Sequence, residues 1–253
     1  MGEPRLADVT VVLVHGAWAD GSSWRAVIAA LQQSGIAAIA VQNPTASLAA
    51  DVSATRAVLD EVDGPVVLVG HSWGGTVITE AGNDPKVKAL VYVAAFAPDA
   101  GEASSDLLAG YPAAPAFSNI GPNKAGSLVM SREGWVENVA QDLSADEVNV
   151  LFAVQPPLGA AAFSDKITRA AWQDRPSWYA VSTQDRALDV DLQRALATKL
   201  NTRATDIAAS HMSPLSAPEA IADVIRNAVT HVAEDGVALN APTQTIERTE
   251  PVQ

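Results

Sequence analysis

Pro65-Val66-Val67-Leu68-Val69-Gly70-His71-Ser72-Trp73-Gly74-Gly75-Thr76-Val77-Ile78-Thr79-Glu80-Ala81 decides how this chain folds. Its opening run is apolar, β-branched and preceded by Gly64, the pattern of a buried strand. From Thr76 onward the pattern is helical. A G-x-S-x-G pentapeptide between strand and helix makes a turn so tight that Ser72 takes strained backbone angles. Gly70 and Gly74 are required there, because a Cβ at either position would meet the crossing chain. The turn lifts the Ser72 hydroxyl above the sheet edge and aims the following N–H groups at the same space. The pentapeptide alone is a weak signal; in this setting it is a strong one.

Working outward, six segments read as strands: residues 9–15, 36–41, 66–71, 87–95, 177–182 and 204–208. Helical patterns separate most of them. Residues 22–33 carry Trp24, Val27, Ile28 and Leu31 on one face and stop at Gly35. Leu48, Val52, Leu59 and Val62 mark a second helix closed by Gly64, and residues 188–200 and 217–232 supply two more. Strands alternating with helices predict a six-stranded, mostly parallel sheet with helices on both faces. The strands are almost wholly apolar, as burial on both faces requires.

The alternation breaks across residues 97–172, a proline-rich stretch with helical patterns near 135–142 and 145–152 and no convincing core strand. It reads as a cap inserted after the fourth strand, over the C-terminal edge of the sheet. The core is then residues 1–96 and 173–233. Residues 234–253 are polar, hold two prolines and read as a flexible tail.

At 253 residues and 48% hydrophobic content, the chain suits one α/β domain with a large core. A formal net charge of −13 argues against nucleic acid and anionic membrane surfaces as partners. No window has the apolar length of a membrane span, and Met1-Gly2-Glu3-Pro4 lacks a signal-peptide pattern. A cytoplasmic location is the expectation. Having no cysteine, the chain has no disulfide, cysteine nucleophile or thiolate metal site.

A serine hydroxyl is a poor nucleophile near neutral pH and needs a base within reach. Of the four histidines, His15 ends the first strand and His231 lies in the last helix, at the wrong end of the sheet. His71 sits inside the elbow, with its side chain expected to point away from the nucleophile. His211, in Ala209-Ser210-His211-Met212, follows the sixth strand at the same edge as Ser72, where open α/β sheets place their sites. The imidazole needs a carboxylate to set its tautomer. Asp185, just past the fifth strand, leads; Asp189 is the runner-up, although it and Asp191 resemble the N-terminal charges of the next helix. Asp174 precedes the strand and is misplaced. A developing oxyanion needs two N–H donors. The N–H of Trp73 follows the nucleophile, and that of Ala17 comes from the loop after the first strand, where Gly16 permits a sharp turn. Trp18 and Trp73 either wall an acyl pocket or pack in the core.

These motifs resemble the α/β-hydrolase superfamily over nearly the whole chain, to about residue 233. They are Val12-Leu13-Val14-His15-Gly16-Ala17, Gly70-His71-Ser72-Trp73-Gly74-Gly75, Gln184-Asp185 and His211-Met212. More narrowly, the chain is similar to the small methylesterases, salicylate-binding esterases and hydroxynitrile lyases, with their bacterial relatives. The resemblance implies the α/β-hydrolase fold without its two earliest strands. It also implies a Ser72–Asp185–His211 triad with Ala17 and Trp73 as oxyanion donors, and Gly16, Trp18 and Met212 as substrate-pocket candidates. The resembling lyases carry threonine where Gly16 stands and lysine where Met212 stands, so their reading loses support.

The expected reaction is hydrolysis of small carboxylic esters through an acyl-enzyme on Ser72, without cofactor or metal; no histidine pair has a ligand spacing. Lactone opening, amide cleavage and perhydrolysis use the same residues. A non-hydrolytic role (lyase, cofactor-free oxygenase or small-molecule binding protein) is the alternative class. Acidic residues near Asp142, Asp146 and Glu147 read as a solvated helix face, and an exposed cap helix is where a homodimer could form.

Overall fold

The computed structural model describes residues 6–202 and 204–240. Six strands form one sheet: β1 (Thr10–Val14), β2 (Ala37–Ala40), β3 (Val66–His71), β4 (Val87–Val93), β7 (Ser177–Ser182) and β8 (Ala204–Ile207). Their spatial order is β2-β1-β3-β4-β7-β8, and every neighbouring pair is parallel. The helices α1 (Arg25–Gln33), α2 (Leu48–Glu61) and α3 (Trp73–Ala81) link the early strands. After β7 come α7 (Val190–Lys199), β8, the single turn α8 (Ser213–Ser216) and the long α9 (Pro218–Asn240).

Alternate residues of each central strand enter two different cores, which is why the strands lack the polar alternation of a half-exposed sheet. Val11, Leu13, Val67 and Val69 pack with Val27 and Leu31 of α1 and Ile221 and Ile225 of α9. Val12, Val14, Leu68 and Leu90 pack with Val77 and Ile78 of α3, Leu48 and Val52 of α2, and the cap. The edges differ. In β2, residues alternate between exposed and half-buried, and Ala204, Thr205 and Asp206 of β8 are exposed.

Between β4 and β7 lie α4 (Ser104–Leu107), the antiparallel hairpin of β5 (Ile120–Pro122) and β6 (Leu128–Met130), α5 (Arg132–Gly134) and α6 (Ala145–Val154). Alpha 5 runs straight into a π turn, Trp135–Val139, so this helical stretch ends three residues earlier than its sequence pattern suggested. The hairpin carries no sequence signal of its own, because its strands are only three residues long. Leu158 bonds back to Leu128 and Gly159 N donates to Thr45 O, which ties the segment to the loop before α2. At the C-terminus, α9 continues to Asn240, so the first seven residues of the expected tail are helical. Glu234 and Asp235 are exposed. The rest of that tail, residues 241–253, lies outside the described residues. Among the described residues no helix is long and apolar enough to cross a membrane.

Candidate active site

Ser72 stands between β3 and α3 with φ +52° and ψ −119°, a region L-residues seldom occupy. The surroundings hold it there. Ser72 N donates to Val93 O, and Ser72 O accepts from Gly75 N and Phe96 N. A Cβ on Gly70 would lie 2.5 Å from Gly74 O, and one on Gly74 would lie 2.4 Å from Val14 O. Gly75, beyond the pentapeptide, is as constrained: its Cβ would meet Phe96 O at 2.2 Å.

His211 Nδ1 lies 2.7 Å from Asp185 Oδ2. The Asp185 side chain is fully buried, and four donors converge on it. Ala187 N and Leu188 N donate to Oδ1; Gln193 Nε2 of α7 and the His211 ring share Oδ2. Such convergence orients the carboxylate so that His211 keeps its proton on Nδ1 and turns Nε2 outward. The loop carrying His211 is held from the cap: Ser210 N donates to Asp142 Oδ2 at 2.7 Å and Met212 N to Val139 O. Asp142 is exposed, as a solvated face requires, and also accepts this bond next to His211. The Ser72 hydroxyl is not hydrogen-bonded to His211, but both side chains face one cavity. Free enzymes commonly show that contact long.

The other acids separate as the helix pattern suggested. Asp189 caps α7, accepting from Asp191 N and Leu192 N, and Asp174 pairs with Arg169 at the surface. His231 packs edge-on to Trp178, away from the cavity.

His71 is among the residues around the cavity; its buried ring packs edge-on to Trp24 and lies 4.7 Å from the His211 ring, and Nε2 donates to His211 O at 2.8 Å. Burial, reinforced by the neighbouring His211, holds its pKa well below 6.5, so the ring is neutral. His15 is likewise lowered by burial.

Trp73 begins α3, so its N–H is one of the helix's unpaired donors. Among the described residues neither this N–H nor that of Ala17 is paired. Ala17 lines the cavity. The two tryptophans take opposite roles. Trp18 lines the cavity, tethered by its Nε1 donating to Leu128 O. The Trp73 indole is fully buried and donates to Asp51 Oδ2 at 2.8 Å. Asp51 is itself buried and also accepts from Thr45 N; burial pushes its carboxyl up, against the pull of these two hydrogen bonds. Met212 lines the cavity as expected. Gly16 does not: a Cβ there would lie 2.9 Å from Ser72 Cβ and 3.1 Å from His71 Nδ1, so its smallness lets the first loop approach the elbow.

The cavity is small, about 30 Å³, and apolar apart from Ser72, His71 and His211. The cap supplies Phe117, Ile120, Met130 and Phe163 to its wall, with no lysine or arginine. Among the described residues no group of three or more histidine, aspartate or glutamate side chains is placed to hold a metal. Sequence reasoning missed Asp51, Gln193 and Asp142, whose partners lie 22, 8 and 68 residues away with no motif to connect them.

A family model described as the alpha/beta hydrolase family matches residues 11–224. A carbendazim hydrolyzing esterase from a Nocardioides species is 29% identical over 211 residues, covering 69% of this chain and 85% of the relative. Among solved structures, a pyrethroid hydrolase from Sphingobium faniae superposes with a TM-score of 0.74 at 21% identity. That match covers 89% of this chain and 99% of the other. A methylesterase from Arabidopsis gives 0.73 at 20% identity over 88% and 99%. Likeness at that level speaks for the fold.

Proposed function

The chain belongs to the alpha/beta hydrolase family, and on that premise we propose that it is a serine esterase cleaving small neutral carboxylic esters. The observation that carries this reading is the His211–Asp185 contact at 2.7 Å beside a cavity that also holds Ser72 on its strained turn. Ser72 attacks the ester carbonyl while His211 Nε2 takes the hydroxyl proton. The N–H groups of Ala17 and Trp73 receive the oxyanion, and His211 then protonates the departing alcohol. Water, deprotonated by His211, releases the acid from the acyl-enzyme.

Asp185 keeps the imidazole in the working tautomer and balances the imidazolium formed midway. An apolar cavity wall without a cation favours a neutral ester with an apolar or aromatic part. A relative named as a carbendazim hydrolyzing esterase supports the esterase reading here.

The test is hydrolysis of p-nitrophenyl esters of increasing chain length by wild type and Ser72→Ala, with a fluorophosphonate probe in parallel. The expectation is turnover in the wild type, its loss by several orders of magnitude in the variant, and labelling that disappears with Ser72. A folded Ser72→Ala that hydrolyses esters normally refutes the assignment.

A further inference from the structure

We propose that His15 and Asp51 are positioning residues for the two oxyanion donors, Ala17 N–H and Trp73 N–H, acting through one buried hydrogen-bonded chain. The inference rests on the acyl-transfer reading above and deepens it.

His15 directly follows β1 and is 1% exposed. Its Nε2 accepts from Asn43 N at 2.9 Å, so the hydrogen of the neutral ring sits on Nδ1. Nδ1 donates to Gly16 O at 2.9 Å. That carbonyl belongs to the same peptide unit as the Ala17 N–H. In a planar trans peptide the two point in opposite directions, so pinning the carbonyl on His15 turns the N–H toward the opposite side. Ala17 lines the cavity there. Glycine at position 16 puts no Cβ in the way of rotation of this peptide, and the His15 bond is what restrains it. A carbonyl that accepts a hydrogen bond also makes its own N–H a better donor.

Asp51 does the corresponding work on the other donor. It lies in the first turn of α2, fully buried, with Oδ1 on Thr45 N and Oδ2 on Trp73 Nε1, each at 2.8 Å. Holding the indole fixes the first residue of α3, whose N–H is the oxyanion donor of the reaction proposed above. The two halves are joined by Asn43: its backbone N–H reaches His15, and its Nδ2 reaches Asp51 O at 3.3 Å. Thr45 extends the chain to the cap through Pro157 O and Gly159 N.

The experiment compares His15→Leu, His15→Asn, His15→Gln and Asp51→Asn with wild type and Ser72→Ala on p-nitrophenyl acetate, with melting curves for each. An asparagine Nδ2 falls where histidine Nδ1 was and can still hold the Gly16 carbonyl; a glutamine amide falls near Nε2 and cannot. For a displaced oxyanion donor, kcat should fall about 100-fold in His15→Leu and His15→Gln, with KM within about threefold. His15→Asn should stay within about tenfold of wild type, and Asp51→Asn should lose about tenfold in kcat. Affinity for a trifluoromethyl ketone, which forms the tetrahedral oxyanion, should fall in step with kcat/KM. Folded variants with wild-type kcat, losses confined to KM, or equal kcat in His15→Asn and His15→Gln overturn the proposal. If His15→Leu does not fold, the Asn and Gln pair decides. Normal turnover in Ser72→Ala instead overturns the reading on which the inference rests.

Discussion

Gly74→Ala is the substitution whose consequence the geometry defines most closely. The added Cβ would stand 2.4 Å from Val14 O and 2.8 Å from His15 O, both backbone atoms at the end of β1. An ordinary contact begins at 3.4 Å. The strand cannot yield, since β2 and β3 flank it on both sides. The first turn of α3 must move instead, by ~1 Å, and it carries Ser72 and the Trp73 N–H away from Ala17. A displacement of that size costs on the order of 100-fold in kcat/KM. Overpacking destabilises by about 1–3 kcal/mol, offset by roughly 1 kcal/mol because alanine is the better helix former. The net is a fall in Tm of a few degrees for a chain of this length, at about 2–4 °C per kcal/mol. The assay is p-nitrophenyl ester hydrolysis with thermal melting. Gly121→Ala serves as control, because a Cβ at Gly121 meets nothing within 4 Å. A Gly74→Ala protein with wild-type kcat/KM and Tm would refute the claim that the close crossing at β1 sets the elbow.

Asp185→Asn should lower kcat by about 10⁴-fold, as the equivalent change does in serine-protease triads, and lower stability by about 1–3 kcal/mol. The reason is that four donors meet its two oxygens, so an amide leaves at least one of them facing another donor; unchanged turnover would remove Asp185 from the mechanism. Phe163 lines the cavity and stands edge-on to Trp18, Trp73 and Phe96, with centroids 6.1, 5.7 and 6.0 Å away. Phe163→Ala should therefore raise kcat/KM for octanoate relative to acetate esters by about tenfold, and an unaltered chain-length profile would contradict it. His15 and His71 are both held below 6.5 by burial. As pH falls through 6.5 the unfolded chain takes up their protons while the folded protein does not. Stability is thus fully present above that pH and declines below it, by up to about 1.4 kcal/mol per pH unit for each histidine until its folded pKa is reached. Asp51, raised above 3.8, acts with the opposite sign between its raised value and 3.8. Melting temperatures that stay flat from about pH 7.5 to about pH 5.5 would exclude the histidine contribution.

What the sequence determined by itself is what local chemistry along the chain controls. Strand β3, the glycines of the elbow and the alternation of apolar runs with helical periods need only neighbouring residues to be read. Chain order then places Ser72, Asp185 and His211 just past β3, β7 and β8, because parallel strands end at one edge. Contacts between residues far apart were decided by the tertiary structure alone. Nothing in their immediate surroundings tells Trp18 from Trp73; one indole found Leu128 O at the cavity and the other found the buried carboxylate of Asp51. His71 meets His211 across 140 residues, and the strands of the β5–β6 hairpin are three residues long, so neither leaves a periodic trace. Side-chain partnership depends on distances that the fold creates, whereas strand, turn and helix depend on backbone preferences each residue carries with it.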